Sequence, residues 1–276
     1  MLSRFYKLCA VALLHFFYVF QLVAHELPMV FIVPSYNNAR YFRANLDSIC
    51  SQNYANWRMI YIDDCSSDKT YELVKAYIDE HRLWDRVTLI RNTQRVGALE
   101  NIYNAIHSCN NWEIMVNVDG DDFLAHNNVL QVLNNVYSHE NVWLTYGQFV
   151  EYPAGVKGFC EAFPESVIRS NSFRKYGCPV SHLRTFYAWL FNKIDREDLL
   201  HEGKFYPMTW DKAMMLPMLE MCGGRFKFIS DVLYVYNFVN PINDCRVNGP
   251  LQAGLARVIL NKKPYSPLQA HEIPAK

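Results

Sequence analysis

The sequence predicts an α/β protein with a largely parallel central sheet flanked by helices. Apolar runs of strand length alternate with helical patterns, which is typical of βαβ units. The first strands each end in polar, loop-forming residues. The chain has 276 residues and 51% hydrophobic content, enough for a substantial core. Because ligands bind at the carboxyl ends of the strands in such sheets, we expect a binding crevice there.

The expected elements follow one another regularly up to residue 150. Strands are predicted at residues 29–33, 57–62, 87–90, 113–118 and 142–150. Between them, apolar side chains recur at the i, i+3, i+4, i+7 spacing of amphipathic helices. These side chains are Phe42, Leu46 and Ile49, then Tyr71, Val74 and Ile78, then Leu99, Ile102 and Ile106, and finally Val129, Val132 and Val136. The right-handed crossovers of this pattern would bring the strand ends to one edge.

The regular alternation of predicted strands and helices ends after residue 150. Residues 151–210 contain several glycines and prolines, which predicts an irregular region that builds a binding loop or lid. A short helix begins at Trp210, and Pro217 is expected to kink or interrupt it. Short strands are predicted at 225–229 and 233–237. Residues 246–276 would form a C-terminal docking helix and a proline-rich tail.

The N-terminal residues 1–27 form a separate unit. Arg4 and Lys7 precede an apolar run that extends from Leu8 to Ala24, as in a signal peptide or an N-terminal membrane anchor. The preceding basic residues favour a cytoplasmic N-terminus with the following body translocated. A hydrophobic helix that docks on the domain or on a membrane surface remains the alternative. The sequence thus predicts a membrane-associated or translocated protein, with the cytosolic face left open.

Charge and cysteine usage narrow the class of protein. The 27 basic and 27 acidic side chains cancel, so we expect no nucleic-acid partner. None of the eight cysteines forms a Cys-x-x-Cys pair, which argues against a zinc site. Cys160, Cys178, Cys222 and Cys245 could form disulfides in an oxidising compartment, and the sequence does not assign partners.

The most informative motif is acidic. Asp119, Asp121 and Asp122 follow a buried strand, and carboxylates that close repel one another unless a cation lies among them. Their hard oxygen ligands suit Mg²⁺ or Mn²⁺, which can bridge to substrate phosphates. A solvated acidic turn is the alternative for an isolated motif. Here Asp63 and Asp64 follow a second strand, so the predicted sheet would bring two acidic groups to one edge.

The chain from about Met29 to Asn243 resembles the family 2 glycosyltransferases, which have the GT-A (Rossmann-like) nucleotide-sugar fold. The matching segments occur in the family's order and cover most of the chain. They are Val-Pro-Ser-Tyr-Asn at 33–37, Ile-Asp-Asp-Cys-Ser-Ser-Asp at 62–68, Asn92 with Gly97 and Asn101, Val-Asp-Gly-Asp-Asp at 118–122, and Thr-Trp-Asp at 209–211. The resemblance implies a GT-A domain over residues 28–245.

The resemblance also implies roles for individual residues. Pro34 and Tyr36 would line the nucleoside pocket, together with Gly97 and Asn101. Asp64, with Asp63 beside it, would accept hydrogen bonds from the base or ribose, and Asp119 would lie near the ribose or sugar. Asp121 and Asp122 would hold the divalent metal on the diphosphate, with the choice between them open. Asp211 would be the general base. Cys65 departs from the family, which often has a small residue such as glycine there.

The implied reaction is an inverting transfer of a sugar from a nucleotide-diphosphate donor, expected to be a UDP-sugar, to a hydroxyl acceptor. The acceptor could be a glycan, a lipid-linked molecule or a protein. Two alternatives remain: a metal-dependent nucleotidyltransferase, and a catalytically silent sugar-binding protein of the same fold. Several further side chains could contact a ligand or simply pack. These are Arg95, His182, Arg184, Tyr187 and Trp189.

Overall fold

The computed structural model describes residues 25–275. In chain order, the strands of the main sheet are β1 (Met29–Ser35), β2 (Trp57–Asp63), β3 (Val87–Arg91), β4 (Ile114–Asn117), β5 (Phe123–Leu124), β6 (Leu144–Tyr152), β7 (Val156–Lys157), β8 (Arg184–Tyr187) and, after a separate hairpin of β9 (Leu200–His201) and β10 (Lys204–Phe205), β11 (Phe226–Asn237). The order across the sheet is β3-β2-β1-β4-β8-β6-β11-β5, with β7 paired to β6.

The sheet is mostly parallel, as the sequence predicts. β1 is parallel to β2 and β4, and β2 is parallel to β3. All seven residues of β1 are buried. A strand covered on both faces consists of a continuous apolar run, which is why the run at residues 29–33 stands out in the sequence.

Helices cover the sheet, and the first four lie close to their predicted positions. They are α1 (Phe42–Cys50), α2 (Thr70–His81), α3 (Ala98–His107), α4 (Val129–His139), α5 (Glu165–Arg169), α6 (Phe173–Tyr176), α7 (Ala188–Phe191), α8 (Trp210–Cys222), α9 (Asp244–Val247) and α10 (Gly249–Leu260). Their apolar stripes form the core: Leu46, Val74, Ile102 and Leu133 are fully buried. The amphipathic spacing therefore identified the first four helices correctly.

The region after residue 150 is more ordered than predicted. β8 lies inside the stretch expected to be irregular and pairs antiparallel with both β4 and β6. Helix α8 continues through Pro217 to Cys222. The two short strands expected near the C-terminus form one strand, β11, whose register with β6 shifts after Ile229 and again after Val232. These bulges explain the gap between the two apolar runs in the sequence.

A buried ion pair ties the C-terminal part of the chain to the domain. Arg174 donates from Nε to Glu220 Oε1 at 2.7 Å and from Nη2 to Oε2 at 3.0 Å. Its Nη1 donates to the carbonyl of Ile259 at 2.6 Å, and the amide of Tyr265 donates to Glu220. Helix α10 and the tail are thus held against α8 by fully satisfied charged groups.

Glu220→Gln is expected to destabilise the protein by about 3–5 kcal/mol, because it leaves the Arg174 guanidinium buried without its counterion. Urea unfolding monitored by circular dichroism measures the change in the free energy of unfolding. The control is Glu165→Gln, which removes the partner of Arg169 from an exposed pair. The control should unfold like the parent, and equal losses in both variants would contradict the assigned importance of burial.

Most of the predicted targeting segment, residues 1–24, lies outside the described residues. Between residues 25 and 275, no helix combines the length and apolarity needed to cross a membrane. The cysteines whose side chains are described, Cys50, Cys65, Cys109, Cys160, Cys178 and Cys222, are all free thiols.

Candidate active site

An open cleft of about 270 Å³ lies at the carboxyl edge of the sheet. It is lined by Pro34, Tyr36, Asp64, Gly97, Asn101, Asp119, Asp121, Asp122 and Asp211. These are all of the residues to which the family resemblance gives a role except Asp63; of the further candidates, Arg95, His182 and Arg184 line the cleft and Tyr187 and Trp189 do not. The cleft is slightly smaller than typical small-molecule sites.

Asp64 organises one end of the cleft. Its Oδ1 accepts hydrogen bonds from Asn92 Nδ2 at 2.8 Å and from the amide of Val96 at 3.0 Å, and its Oδ2 accepts one from the amide of Gly97 at 2.8 Å. Gly97 has φ of 92°, which suits a residue without a Cβ atom. Asn101 donates to the Gly97 carbonyl at 3.0 Å. Asp64 thus holds the loop before α3 in place at the cleft wall.

Asp63 occupies a different environment from its neighbour. Its side chain is fully buried, it accepts a hydrogen bond from the Ser66 amide at 3.3 Å, and burial raises its pKa. It does not line the cleft, so Asp64 alone of this pair faces the cleft. Cys65 follows with φ of 60°, a left-handed conformation that glycine adopts without strain.

Tyr36 forms a flat surface near Asp64. The guanidinium carbon of Arg95 lies 3.9 Å from the centroid of the Tyr36 ring. Arg95 and Tyr36 both line the cleft, and so does Pro34 at the end of β1. A cation and an aromatic face beside a hydrogen-bonding carboxylate provide a stacking surface suited to a nucleobase.

The acidic loop after β4 is held tightly against β1 and α1. A Cβ atom at Gly120 would lie only 2.6 Å from the Ser35 side chain, so only glycine fits between the acidic residues. Asn45 Nδ2 donates to the carbonyl of Asp119 at 3.1 Å and to that of Asp122 at 2.8 Å. This packing fixes where the carboxylates point.

The carboxylates of Asp121 and Asp122 differ in their partners. Asp122 is buried, and its two oxygens accept hydrogen bonds from the Tyr234 hydroxyl and the Asn237 amide, both at 2.7 Å. Burial, followed by the charges of Asp121 and Asp119, raises the pKa of Asp122 well above its usual range. Asp121 accepts a hydrogen bond from Asn240 at 2.6 Å, and burial raises its pKa as well. Protein donors therefore occupy both oxygens of Asp122.

One acidic cluster in the cleft could hold a metal ion. Asp119, Asp122 and His182 each place a ligand atom within 4.8 Å of the others. However, Arg184 Nη2 lies 3.0 Å from His182 Nδ1, and a guanidinium can only donate. Burial and then Arg184 lower the pKa of His182 well below its usual range, so the ring is neutral. His182 Nδ1 already accepts a hydrogen bond from Arg184, whereas the carboxylates supply the hard oxygen ligands that Mg²⁺ and Mn²⁺ prefer.

Asp211 lies on another wall of the cleft, in the first turn of α8. Its side chain is 28% exposed, and its Oδ2 lies 3.9 Å from Nη1 of Arg184. Nη2 of the same guanidinium lies 3.4 Å from Oδ2 of Asp119. Asp119 and Asp211 are therefore brought together around one arginine, although they are far apart in the chain.

Sequence reasoning left some cleft residues unassigned. Arg184 and His182 were considered only as general contacts, and Asn240, Thr209 and Trp210 were given no role in the site. Their positions in the sequence could have identified them as cleft residues, because Asn240 closely follows the end of β11 and Thr209 and Trp210 adjoin Asp211. β8, which carries Arg184, gave no clear strand pattern.

The fold and this cleft are those of an α/β protein with an acidic ligand site at the carboxyl edge of its sheet. The chain belongs to the glycosyl transferase family 2, whose family model matches residues 30–197.

Known proteins resemble the chain in sequence and in fold. The glycosyltransferase GlyG of Streptococcus pneumoniae is 25% identical over 221 residues, which cover 74% of this chain and 69% of that protein. Staphylococcus aureus TarS, in complex with UDP-GlcNAc, superposes with a TM-score of 0.60 at 17% identity, covering 89% of this chain and 69% of TarS residues 1–349.

A second solved structure has a similar fold. The mannosyltransferase PcManGT of Pyrobaculum calidifontis, in complex with GDP-Man and Mn²⁺, superposes with a TM-score of 0.51 at 23% identity. The match covers 76% of this chain and 57% of that one, so part of the neighbour has no counterpart in the aligned region.

Proposed function

We propose that the protein transfers a sugar from a UDP-sugar to a hydroxyl acceptor with inversion at the anomeric carbon. The observation that carries the proposal is the convergence of Asp64, Asp121 and Asp211 on one cleft at the carboxyl edge of the sheet. The TarS complex with UDP-GlcNAc supports the choice of donor class. Family membership favours sugar transfer over the alternative of nucleotidyl transfer.

In this proposal the nucleoside occupies the end of the cleft formed by Tyr36 and Asp64. The ring of Tyr36 stacks on the base, and the Asp64 carboxylate accepts hydrogen bonds from the base or ribose. Because Asp64 also holds the amides of Val96 and Gly97, its orientation is fixed before the donor arrives. A carboxylate that is already held in place loses less conformational freedom when the nucleoside binds to it.

Asp119 and Asp121 are the residues that would hold a divalent cation, Mn²⁺ or Mg²⁺, in this proposal. The cation would stabilise negative charge on the departing diphosphate. Asp122 has a structural role in this proposal, because its hydrogen bonds to Tyr234 and the Asn237 amide connect the acidic loop to β11. The choice of Asp121 over Asp122 rests on burial and on the number of donors: Asp122 is buried with a donor on each oxygen, whereas Asn240 donates to one oxygen of the less buried Asp121.

Asp211 is proposed as the general base. An acceptor hydroxyl is a weak nucleophile, and a carboxylate beside it removes its proton as it attacks the anomeric carbon. Direct displacement needs no second nucleophile and inverts that centre. The acceptor itself stays open among glycans, lipid-linked molecules and proteins, as does membrane association through the N-terminus.

The experiment that tests the function is a screen of nucleotide sugars for release of the nucleoside diphosphate, with and without candidate acceptors. Release from UDP-sugars above release from GDP-sugars supports the proposal. Release of pyrophosphate from nucleoside triphosphates in the presence of sugar phosphates would support a nucleotidyltransferase instead.

Tyr36→Ala is expected to weaken UDP binding by about 5- to 150-fold, because one stacked base is worth about 1–3 kcal/mol. Isothermal titration calorimetry with UDP measures the dissociation constant. Tyr71→Ala is a matched control, since Arg91 lies over the Tyr71 ring at 4.6 Å and Tyr71 does not line the cleft. Unchanged UDP affinity in Tyr36→Ala would show that the base binds elsewhere.

A further inference from the structure

Arg184 contacts several residues of the cleft but has no role in the reaction proposed above. Its Nη2 lies 3.4 Å from Asp119 Oδ2 and 3.0 Å from His182 Nδ1, and its Nη1 lies 3.9 Å from Asp211 Oδ2. The guanidinium also lies over the Trp210 ring, 4.8 Å from its centroid. One side chain thus touches the donor-side carboxylate, the proposed base and the residue that precedes that base.

The sheet fixes the position of Arg184. β8 runs antiparallel to β4, and Arg184 pairs with Asn117, the last residue of β4. The side chain therefore starts beside the acidic loop that follows β4. Only 2% of it is exposed, so neighbouring side chains constrain its conformation.

His182 supports the guanidinium from the other side. Its ring stacks on Tyr234, with centroids 4.3 Å apart and planes 7° apart, and Phe149 meets it edge-on at 5.8 Å. The ring orientation is thereby fixed, and Nδ1 is presented to Arg184 as an acceptor. Among the described residues, nothing accepts a hydrogen bond from the buried Arg184 Nε, so the contacts of this guanidinium are made by its two Nη atoms.

We propose that Arg184 is a positioning residue that couples the donor carboxylate Asp119 to the base Asp211; the inference rests on the proposed function. The guanidinium holds Oδ2 of both carboxylates and so sets the distance between the donor sugar and the base. It orients Asp211 so that Oδ1 takes the acceptor proton. A lysine cannot do the same, because its single ammonium lacks the planar fork that reaches two carboxylates at once.

A double-mutant cycle tests the coupling. The variants are Arg184→Gln, Asp211→Asn and the combination, with transfer measured at saturating UDP-sugar and UDP affinity measured separately. Arg184→Gln alone should lower the maximal transfer rate by about 10²-fold, the usual effect of a misplaced catalytic group. In the Asp211→Asn background the same change should lower it by less than about threefold, because a residue that acts through Asp211 has no further effect once the base is lost.

Further variants guard against loss of folding. Arg184→Lys should lower the maximal transfer rate by less than Arg184→Gln does. If Arg184→Gln melts at a much lower temperature than the parent, the double-mutant cycle is carried out with Arg184→Lys and Asp211→Asn instead. Arg174→Gln removes another buried guanidinium, outside the cleft. It should lower the melting temperature but not the transfer rate per folded molecule.

The possible outcomes distinguish failure of the coupling from failure of the proposed function. If the parent is active and the losses from Arg184→Gln and Asp211→Asn multiply in the double variant, the coupling is overturned and the proposed function stands. A parent that transfers no sugar from any nucleotide donor would overturn both. Non-multiplying losses, with the Arg174→Gln control active, support the inference.

Discussion

Asp211→Asn is expected to lower the rate of sugar transfer by about 10²- to 10⁴-fold while UDP affinity stays near that of the parent. The amide keeps the size of the side chain and can still form hydrogen bonds, but it cannot accept the acceptor's proton. Asp211 lies in the same cleft as the acidic loop, on a separate wall, so its loss should leave the nucleoside end unchanged. Release of UDP from a UDP-sugar, followed with and without acceptor, measures the rate.

The control for this variant is Asp231→Asn, an exposed carboxylate on β11. It should transfer sugar at the parent's rate. If Asp211→Asn retained transfer within a few-fold of the parent, the base would have to be sought elsewhere. Asp195 and Glu197 are weak candidates, because neither lines the cleft. His182 lines it, but its Nδ1 is held by Arg184.

Asp121→Ala is expected to weaken UDP binding by at least about tenfold in the presence of Mn²⁺. Without this carboxylate the acidic loop would hold the cation poorly, and the remaining acidic groups would repel the diphosphate. Calorimetric titration with UDP, with Mn²⁺, with Mg²⁺ and with a chelator, measures the metal-dependent part of the affinity. The parent should lose affinity on chelation, and Asp121→Ala should bind UDP equally weakly in all of these conditions.

Two further variants sharpen this experiment. Asp85→Ala removes an exposed carboxylate elsewhere and should keep the parent's metal dependence. Asp122→Asn should mainly lower thermal stability, because it disturbs the bonds to Tyr234 and the Asn237 amide. Equal UDP affinity of the parent with and without chelator would remove the metal from the proposed mechanism. A metal dependence that survives in Asp121→Ala but not in Asp122→Asn would exchange the roles of the two residues.

Local patterns were sufficient to predict the first half of the fold. β1 to β4 and the helices between them have uninterrupted apolar runs or amphipathic spacing, since both depend only on which faces are buried. The same patterns could not reveal β8. It has four residues, starts with an arginine, and is a strand only because β4 and β6 flank it.

For the cleft, the sequence by itself determined which strand ends carry carboxylates and therefore which residues gather at the edge of the sheet. The order of parallel strands makes that convergence almost unavoidable. What only the tertiary structure decided is how adjacent residues differ. Asp63 is enclosed while Asp64 lines the cleft, and Asp122 accepts two hydrogen bonds from β11 while Asp121 accepts one from Asn240. Such differences depend on donors such as Tyr234 and Asn237, which are distant in the chain, and no local pattern records which distant donor a carboxylate will meet.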